Sequence, residues 1–514
     1  MSLFQIILLA SSALLALGSG VAWHRGRPGP AVALLVGAAF LVRLLMSSLD
    51  PFLHDWDERF HALVAKNMMS RPLTPLLRAE AVLPYDYRAW CCNHIWLHKQ
   101  PLFLWQMALS MKVFGVNELA LRLPSALLGS LVLYPVYRLG CLLFDPDTGY
   151  LGALLAAFAF YQLEQTSGVI GMDHNDVAFA AYVTASLWAY YEYRGSAHPW
   201  RWVVLVGLFA GAAVLCKWLV GLIVYAGWGL ATLLHTPRRW AEYGRLAASV
   251  VVAGAVALPW QLYTAWRFPA ESAHERAYNA RHFAEALEGQ AHEWYYHFEM
   301  LATHYGALQW LMPLGLALAL RSPRRQALVP ALVVLVLIYA FFTAAATKMY
   351  SYTYVVSALL LLLAAVPLAA AARWLRARTG RLAPAGLAAG LVAVVLLDAR
   401  PWAIVGYHFQ EQMGAVSGAT LGRASRTANA DLYRHLNEAV PSGYLIFNAL
   451  GSDELPAMFY CDRPVYGWWP SETALRSLQA QGWRLAFFPD HHDQHPPDYL
   501  RRAPGALAIW GTPQ

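Results

Sequence analysis

Stretches of about 17 to 22 residues with almost no charge recur through the first 400 positions of this chain. At 1.5 Å per residue in a helix, each is long enough to cross a hydrocarbon core of about 30 Å. Lipid offers no partner to a backbone N–H or C=O, so segments of this kind must be helices. Composition agrees: 58% of the 514 residues are hydrophobic and 13% are charged, about half the charge of a soluble domain. The chain therefore reads as an all-α polytopic membrane protein. Its apolar runs and its 5 cysteines exclude disordered, collagenous and disulfide-scaffold classes.

Twelve spans are expected, near 3–23, 30–48, 122–143, 149–165, 173–193, 201–216, 218–235, 246–263, 306–320, 328–345, 350–371 and 382–398. The first differs from a secretory leader, because its basic residues, Arg25 and Arg27, follow the apolar run. Alternate loops then collect arginine: Arg194 and Arg201; Arg238, Arg239 and Arg245; Arg321, Arg324 and Arg325; Arg373, Arg376, Arg378 and Arg381. Such asymmetry assigns the arginine side to the cytoplasm and both termini to the other side. It also accounts for the net charge of +7 without a nucleic-acid partner. Trp23, Trp200, Trp260, Trp310 and Trp374 stand near span ends, as an interfacial belt requires.

Three long segments fall on the outer side: 49–121, 264–305 and 399–514. Leu102–Val113 and Ala277–Leu287 have the periodicity of helices lying along the membrane surface. After Arg400 the pattern alternates: helical near Asp431–Ala439, strand-like at Tyr444–Asn448, helical at Glu472–Gln481, strand-like at Arg484–Phe488. That alternation predicts a small α/β domain outside the cytoplasm over 401–514, following a transmembrane domain over 1–400.

A pump or channel places ionisable groups in mid-span; here the span middles are nearly clean, with Arg43, Arg138 and Glu164 the exceptions and two of these close to span ends. The unusual polar residues gather at the outer level instead. They are Asp55, Asp57, Glu58 and Lys99, then Asp173, Lys217, Lys348 and the Arg276/Asn279/Arg281/His282 group. A carboxylate there can take a proton from an acceptor hydroxyl or amine, while lysines and arginines hold a phosphate. No soluble nucleotide is available outside the cytoplasm, which favours a membrane-borne activated group. Each residue also has a plainer role: Asp173 and Asp176 suit the start of a helix, and Lys217 and Lys348 suit snorkelling from span ends. Cys91, Cys92, His94 and His98 are metal-ligand types, but their spacing fits no standard zinc pattern.

As strings, the motifs say more. DERFHALVAKNM from Asp57 to Met68, then HKQPLFLWQMALSMKVFGVNELALRLPSALLG from His98 to Gly129, resemble the bacterial polyprenyl-phosphate-dependent glycosyltransferases of the aminoarabinose-transferase and protein-mannosyltransferase type. Asp173 opening a span, Lys217-Trp-Leu-Val-Gly221, Pro259-Trp260 and Lys348 with Tyr352 continue the series, so the resemblance covers about residues 40–370. It implies the GT-C fold and an active site on the outer face of the inner membrane. It also implies transfer with inversion from an undecaprenyl- or dolichyl-phosphate sugar to a periplasmic lipid, glycan or protein. Asp57 would be the carboxylate that activates the acceptor, with Glu58 beside it as a further catalytic residue and Asp173 as the second acid of the site. Lys99 would contact the donor phosphate, with Lys217, Lys348 and Tyr352 near the donor pocket and either Arg281 or His282 supplying a further cation. No cofactor is required, although some GT-C enzymes use a divalent ion.

The sequence departs from the family where Phe60 stands three residues after Asp57, with Arg59 one place early, and where Gln100 replaces a proline. A multi-pass transporter or flippase of lipid-linked glycans is the competing class, which the nearly clean span interiors disfavour.

Overall fold

The computed structural model describes residues 1–89, 93–167, 173–234, 240–379, 423–449, 453–489 and 496–509. The span expected at 382–398, the boundary expected at 400/401, Arg238, Arg239 and Arg381, and the Cys91–Cys92 pair lie outside them. In chain order the helices are α1 (Leu3–His24), α2 (Pro28–Ser47), α3 (Asp57–Met68), α4 (Pro101–Phe114), α5 (Glu118–Leu131) and α6 (Leu133–Leu143). They continue as α7 (Pro146–Phe158), α8 (Phe160–Ser167), α9 (His174–Gly195), α10 (Pro199–Lys217), α11 (Ile223–Leu233) and α12 (Trp240–Arg267). Next come α13 (Pro269–Ala284), α14 (Tyr296–Tyr305), α15 (Leu308–Leu320), α16 (Val329–Ala344) and α17 (Ser357–Thr379). The C-terminal segment holds α18 (Arg423–Arg434), α19 (Leu436–Ala439), α20 (Glu454–Tyr460), α21 (Glu472–Ala480) and α22 (Asp498–Arg501). Strands β1 (Tyr444–Phe447), β2 (Arg484–Phe487) and β3 (Leu507–Ala508) lie among them.

Two units are distinguishable. The first contains the described residues of Met1–Ser47, His98–Phe103 and Leu123–Val405. This is a multi-pass membrane protein: among the described residues, seven helical stretches are long and apolar enough to span a bilayer. The twelve expected runs merge into fewer, or break, for local reasons. Runs 201–216 and 218–235 correspond to α10 and α11, which form one continuous apolar stretch, Pro199–Leu233, interrupted at Trp218 (φ 58°, ψ −157°). Run 149–165 breaks at Ala159 (φ −56°, ψ 141°), leaving the short helices α7 and α8. Run 306–320 is the 13-residue α15.

The α7 break has an internal cap. Arg43, fully buried in α2, donates to the carbonyls of Ala156 at 2.9 Å and Ala157 at 3.0 Å. The guanidinium thus satisfies acceptors that the interrupted helix leaves open, in a region where water cannot reach them. Arg138 pairs with Glu192 at 2.6 Å, so a second intramembrane charge is neutralised. Helices α6 and α7 cross at Gly140 and Gly149; a Cβ on either would strike the other's backbone, so only glycine permits this approach. Large apolar side chains on α1 and α12, such as Leu3, Leu14, Val251 and Leu262, stay exposed, as lipid-facing surfaces do.

The second unit contains the described residues of Ser48–Leu97, Leu104–Arg122 and Gly406–Gln514. Its sheet is parallel in the order β1-β2-β3, with Leu445 opposite Leu485 and Phe447 opposite Phe487. Parallel neighbours need crossovers, which α20 and α21 supply between β1 and β2, and α22 between β2 and β3. Leu445, Phe447, Leu485 and Phe487 bury one face of the strands with Leu475, Leu478 and Leu500 from the crossover helices. The α/β alternation read from the sequence is present: both strands and the 472–481 helix lie within a residue of their expected ends, whereas the helix expected near Asp431–Ala439 begins at Arg423, and α20, α22 and β3 are additional.

Candidate functional site

In the first unit, polar residues gather where α9, α10 and the loop between α16 and α17 meet. Helix α10 ends at Lys217 because Trp218 takes φ 58° and ψ −157°. A lysine in this last turn faces the negative end of the helix dipole. Its Nζ donates to Asp176 Oδ1 at 2.5 Å and lies 4.8 Å from the centroid of the Tyr352 ring. Asp176 is buried in the first turn of α9. Asp173, at the N-cap of α9, makes no capping bond with its side chain, and its carboxylate accepts from the Ser351 hydroxyl at 3.5 Å.

The 346–354 loop that carries Lys348, Ser351 and Tyr352 is held from two sides. Ala346 and Thr347 donate backbone N–H groups to Phe283 and His282, and Lys348 donates its own to Gln290. Opposite, the Tyr161 hydroxyl donates to the Tyr350 carbonyl at 2.8 Å, and the Tyr354 hydroxyl donates to Gln162 at 2.8 Å. Lys348 is buried, with Nζ donating to the Ala345 carbonyl at 2.7 Å, just past the end of α16. Lys99 interacts electrostatically with both Tyr352 and His282. Burial pulls the His282 imidazole below its usual range; Glu288 opposes the shift, and His98, Lys99 and Lys217 reinforce it. Arg281 is half-exposed and pairs with Glu285 at 2.7 Å. The structure therefore gathers Lys217, Tyr352 and Asp176 tightly and sets Lys99 and His282 in the same electrostatic environment. Arg281 is instead turned to its own helical neighbour.

Asp57 and Glu58 belong to the second unit, where they open α3. Glu58 is fully buried; its oxygens accept from Arg122 Nε at 2.7 Å and Nη2 at 3.0 Å, and from the His54 N–H at 2.6 Å. Asp57 lies one turn from His61, with ligand-type atoms of the two within 4.8 Å. A divalent ion would find two candidate ligands there.

Sequence reasoning missed four pairings. Asp176 was visible as a helix-start acid, but its lysine is 41 residues away. Arg122 and Ser125 lie inside the RLPS string; Arg122 holds Glu58, and the Ser125 hydroxyl sits 2.7 Å from His174 Nδ1. His98 contacts Glu275 at 3.1 Å across 177 residues.

Comparison with known proteins gives a consistent picture. Residues 98–263 match the family described as dolichyl-phosphate-mannose-protein mannosyltransferase. The undecaprenyl phosphate-alpha-4-amino-4-deoxy-L-arabinose arabinosyl transferase of Pseudomonas aeruginosa (strain LESB58) is 29% identical over 265 residues, 48% of this chain and 45% of the relative. An uncharacterised protein of Aquifex aeolicus is 30% identical over 33% of this chain and 31% of its own length. The chain resembles these transferases. It matches less than half the length of either relative.

Among solved structures, ArnT from Cupriavidus metallidurans bound to undecaprenyl phosphate superposes with a TM-score of 0.65 at 19% identity, covering 88% of both chains. The apo oligosaccharyltransferase of Archaeoglobus fulgidus gives 0.57 at 15% identity, covering 84% of this chain and 64% of the other. The fold expected from the motifs, GT-C, is therefore the fold observed.

Proposed function

We propose that this chain is an integral-membrane glycosyltransferase that moves a sugar from a polyprenyl-phosphate donor to a lipid, glycan or protein outside the cytoplasm. The observation that carries this reading is the Lys217–Asp176 pair beside Tyr352, with Lys99 and Lys348 on the same unit. A lysine cluster at the end of hydrophobic helices suits a phosphate delivered on a lipid tail, and its positive charge would stabilise that phosphate as it leaves. Asp57 takes the proton from an acceptor hydroxyl or amine. The freed lone pair attacks the anomeric carbon, the C–O bond to phosphate breaks, and polyprenyl phosphate departs from the opposite face, inverting the centre. Glu58, spent on Arg122 and His54, fixes the turn rather than joining the reaction. Asp173 is the second acid of the site, Arg281 or His282 an outer cation. The proposed setting is the inner membrane with the site on its periplasmic face, and no cofactor is required.

The relatives' names support an undecaprenyl-phosphate-linked aminoarabinose as the first donor to try. Mass spectrometry of envelope lipids and glycans, from cells with and without the chain, tests the reading. A polyprenyl-phosphate sugar accumulating in the deletion, with one glycoconjugate losing that sugar, is the expected result. Transport of a lipid-linked glycan across vesicles without any covalent product would replace it.

A further inference from the structure

Helix α3, which begins at Asp57, is fastened at both ends to the C-terminal segment of its own unit. At its far end, Lys66 Nζ donates to the carbonyls of Met458 and Phe459 at 2.9 Å and Cys461 at 3.0 Å, capping the last turn of α20. A lysine on those open carbonyls also meets the negative end of the α20 dipole. At its near end, Arg59 bridges Asp55 and Asp453, the latter at 3.2 Å and at the N-cap of α20. Arg426 from α18 closes the chain of charges on Asp55. Asp453 is itself held by the Tyr433 hydroxyl at 2.8 Å.

Between these anchors stands Trp56, at φ 61° and ψ −123°. A bulky residue rarely adopts this conformation, and it persists only where the surroundings over-determine it. Its neighbours supply that constraint: Asp55 is tied to Arg59 and Arg426, and Glu58 to Arg122. The strained residue immediately precedes Asp57, so its backbone sets where that carboxylate is carried.

We propose that Arg426 and Asp453, through Arg59 and Asp55, are positioning residues for Asp57, making the C-terminal segment a working part of the catalytic apparatus. This rests on the transferase reading above. The Lys66 cap accounts for docking of α20; the ion-pair chain at the other end is directed at the turn. Loss of the ion-pair chain leaves the donor lysines of the first unit intact and lets the base drift. A misplacement near 1 Å costs about a hundredfold in rate.

The test uses the full chain in nanodiscs, wild type beside Asp453→Asn, Arg426→Gln, Arg426→Lys and Asp57→Asn. Hydrogen–deuterium exchange is read at amides 54–60. Turnover is read with undecaprenyl-phosphate aminoarabinose as donor and envelope lipid extract as acceptor. Asp453→Asn and Arg426→Gln are expected to raise exchange in that turn and to lower kcat ten- to a hundredfold. Donor KM should stay within twofold of wild type, and Arg426→Lys should restore most of the rate. Unchanged exchange at 54–60 overturns the clamp, as does an unchanged kcat in an active protein. A wild type no more active than Asp57→Asn overturns the transferase reading instead, and exchange alone then judges the clamp.

Discussion

Arg122 and Glu58 form an enclosed ion pair, the guanidinium 1% and the carboxylate 0% exposed, joined by bonds of 2.7 and 3.0 Å. The same guanidinium donates to the carbonyls of Asp50 at 2.8 Å and Phe52 at 2.6 Å, so one side chain organises the whole approach to α3. Removing one partner strands the other charge in a site without water, at a cost of about 3–5 kcal/mol. Arg122→Met and Glu58→Ala should each lower the melting temperature steeply, and the double variant should cost less than the sum of the two. Thermal unfolding in detergent checks this; additive losses would argue that the pair is not coupled.

Lys217 and Asp176 test the donor site. Lys217→Met removes a cation placed for phosphate and should raise the donor KM tenfold or more. Asp176→Asn leaves the lysine charged but no longer tethered, so it should alter KM less. Donor titration of both variants distinguishes them, and equal effects would reduce Lys217 to a structural partner of Asp176.

Arg43 should behave as a cap and not as a transport charge. Arg43→Met would leave the Ala156 and Ala157 carbonyls unsatisfied in a dry interior, where an unmade bond costs about 1–3 kcal/mol each. A lower melting temperature with an unchanged donor KM is expected.

Acid should loosen the first unit through His297. Burial, with Lys348 nearby, pulls its pKa down to about 4, against about 6.5 in an unfolded chain. Between those values the unfolded state binds more protons. Stability is therefore fully present above pH 6.5 and is lost as pH falls towards 4. His297→Phe should flatten that limb in melting curves taken from pH 7 to pH 4; an unaltered slope would assign the acid sensitivity elsewhere.

Much of this was legible in the sequence, because lipid permits so few solutions. The membrane class followed from long apolar runs, the C-terminal α/β alternation from a change of period after Arg400, and the GT-C fold from an ordered motif series. Two kinds of feature were hidden. Breaks at Ala159 and at Trp218 involve neither glycine nor proline, since tertiary contacts impose them. Partners distant in sequence were also hidden: nothing local in RLPS connects Arg122 to Glu58, and nothing near Asp55 points to Arg426. Asp173 stands at the N-cap of α9, as its place at a helix start suggested, but its side chain makes no capping bond there. Composition places a charge in a segment; only packing chooses its partner.

The most direct test of the central claim is single-turnover transfer by purified wild type and Asp57→Asn, each first shown to bind undecaprenyl phosphate. A loss of about 10²-fold or more in the variant, with donor affinity and melting temperature retained, is the predicted result. Wild-type transfer by Asp57→Asn would contradict the assignment of the base.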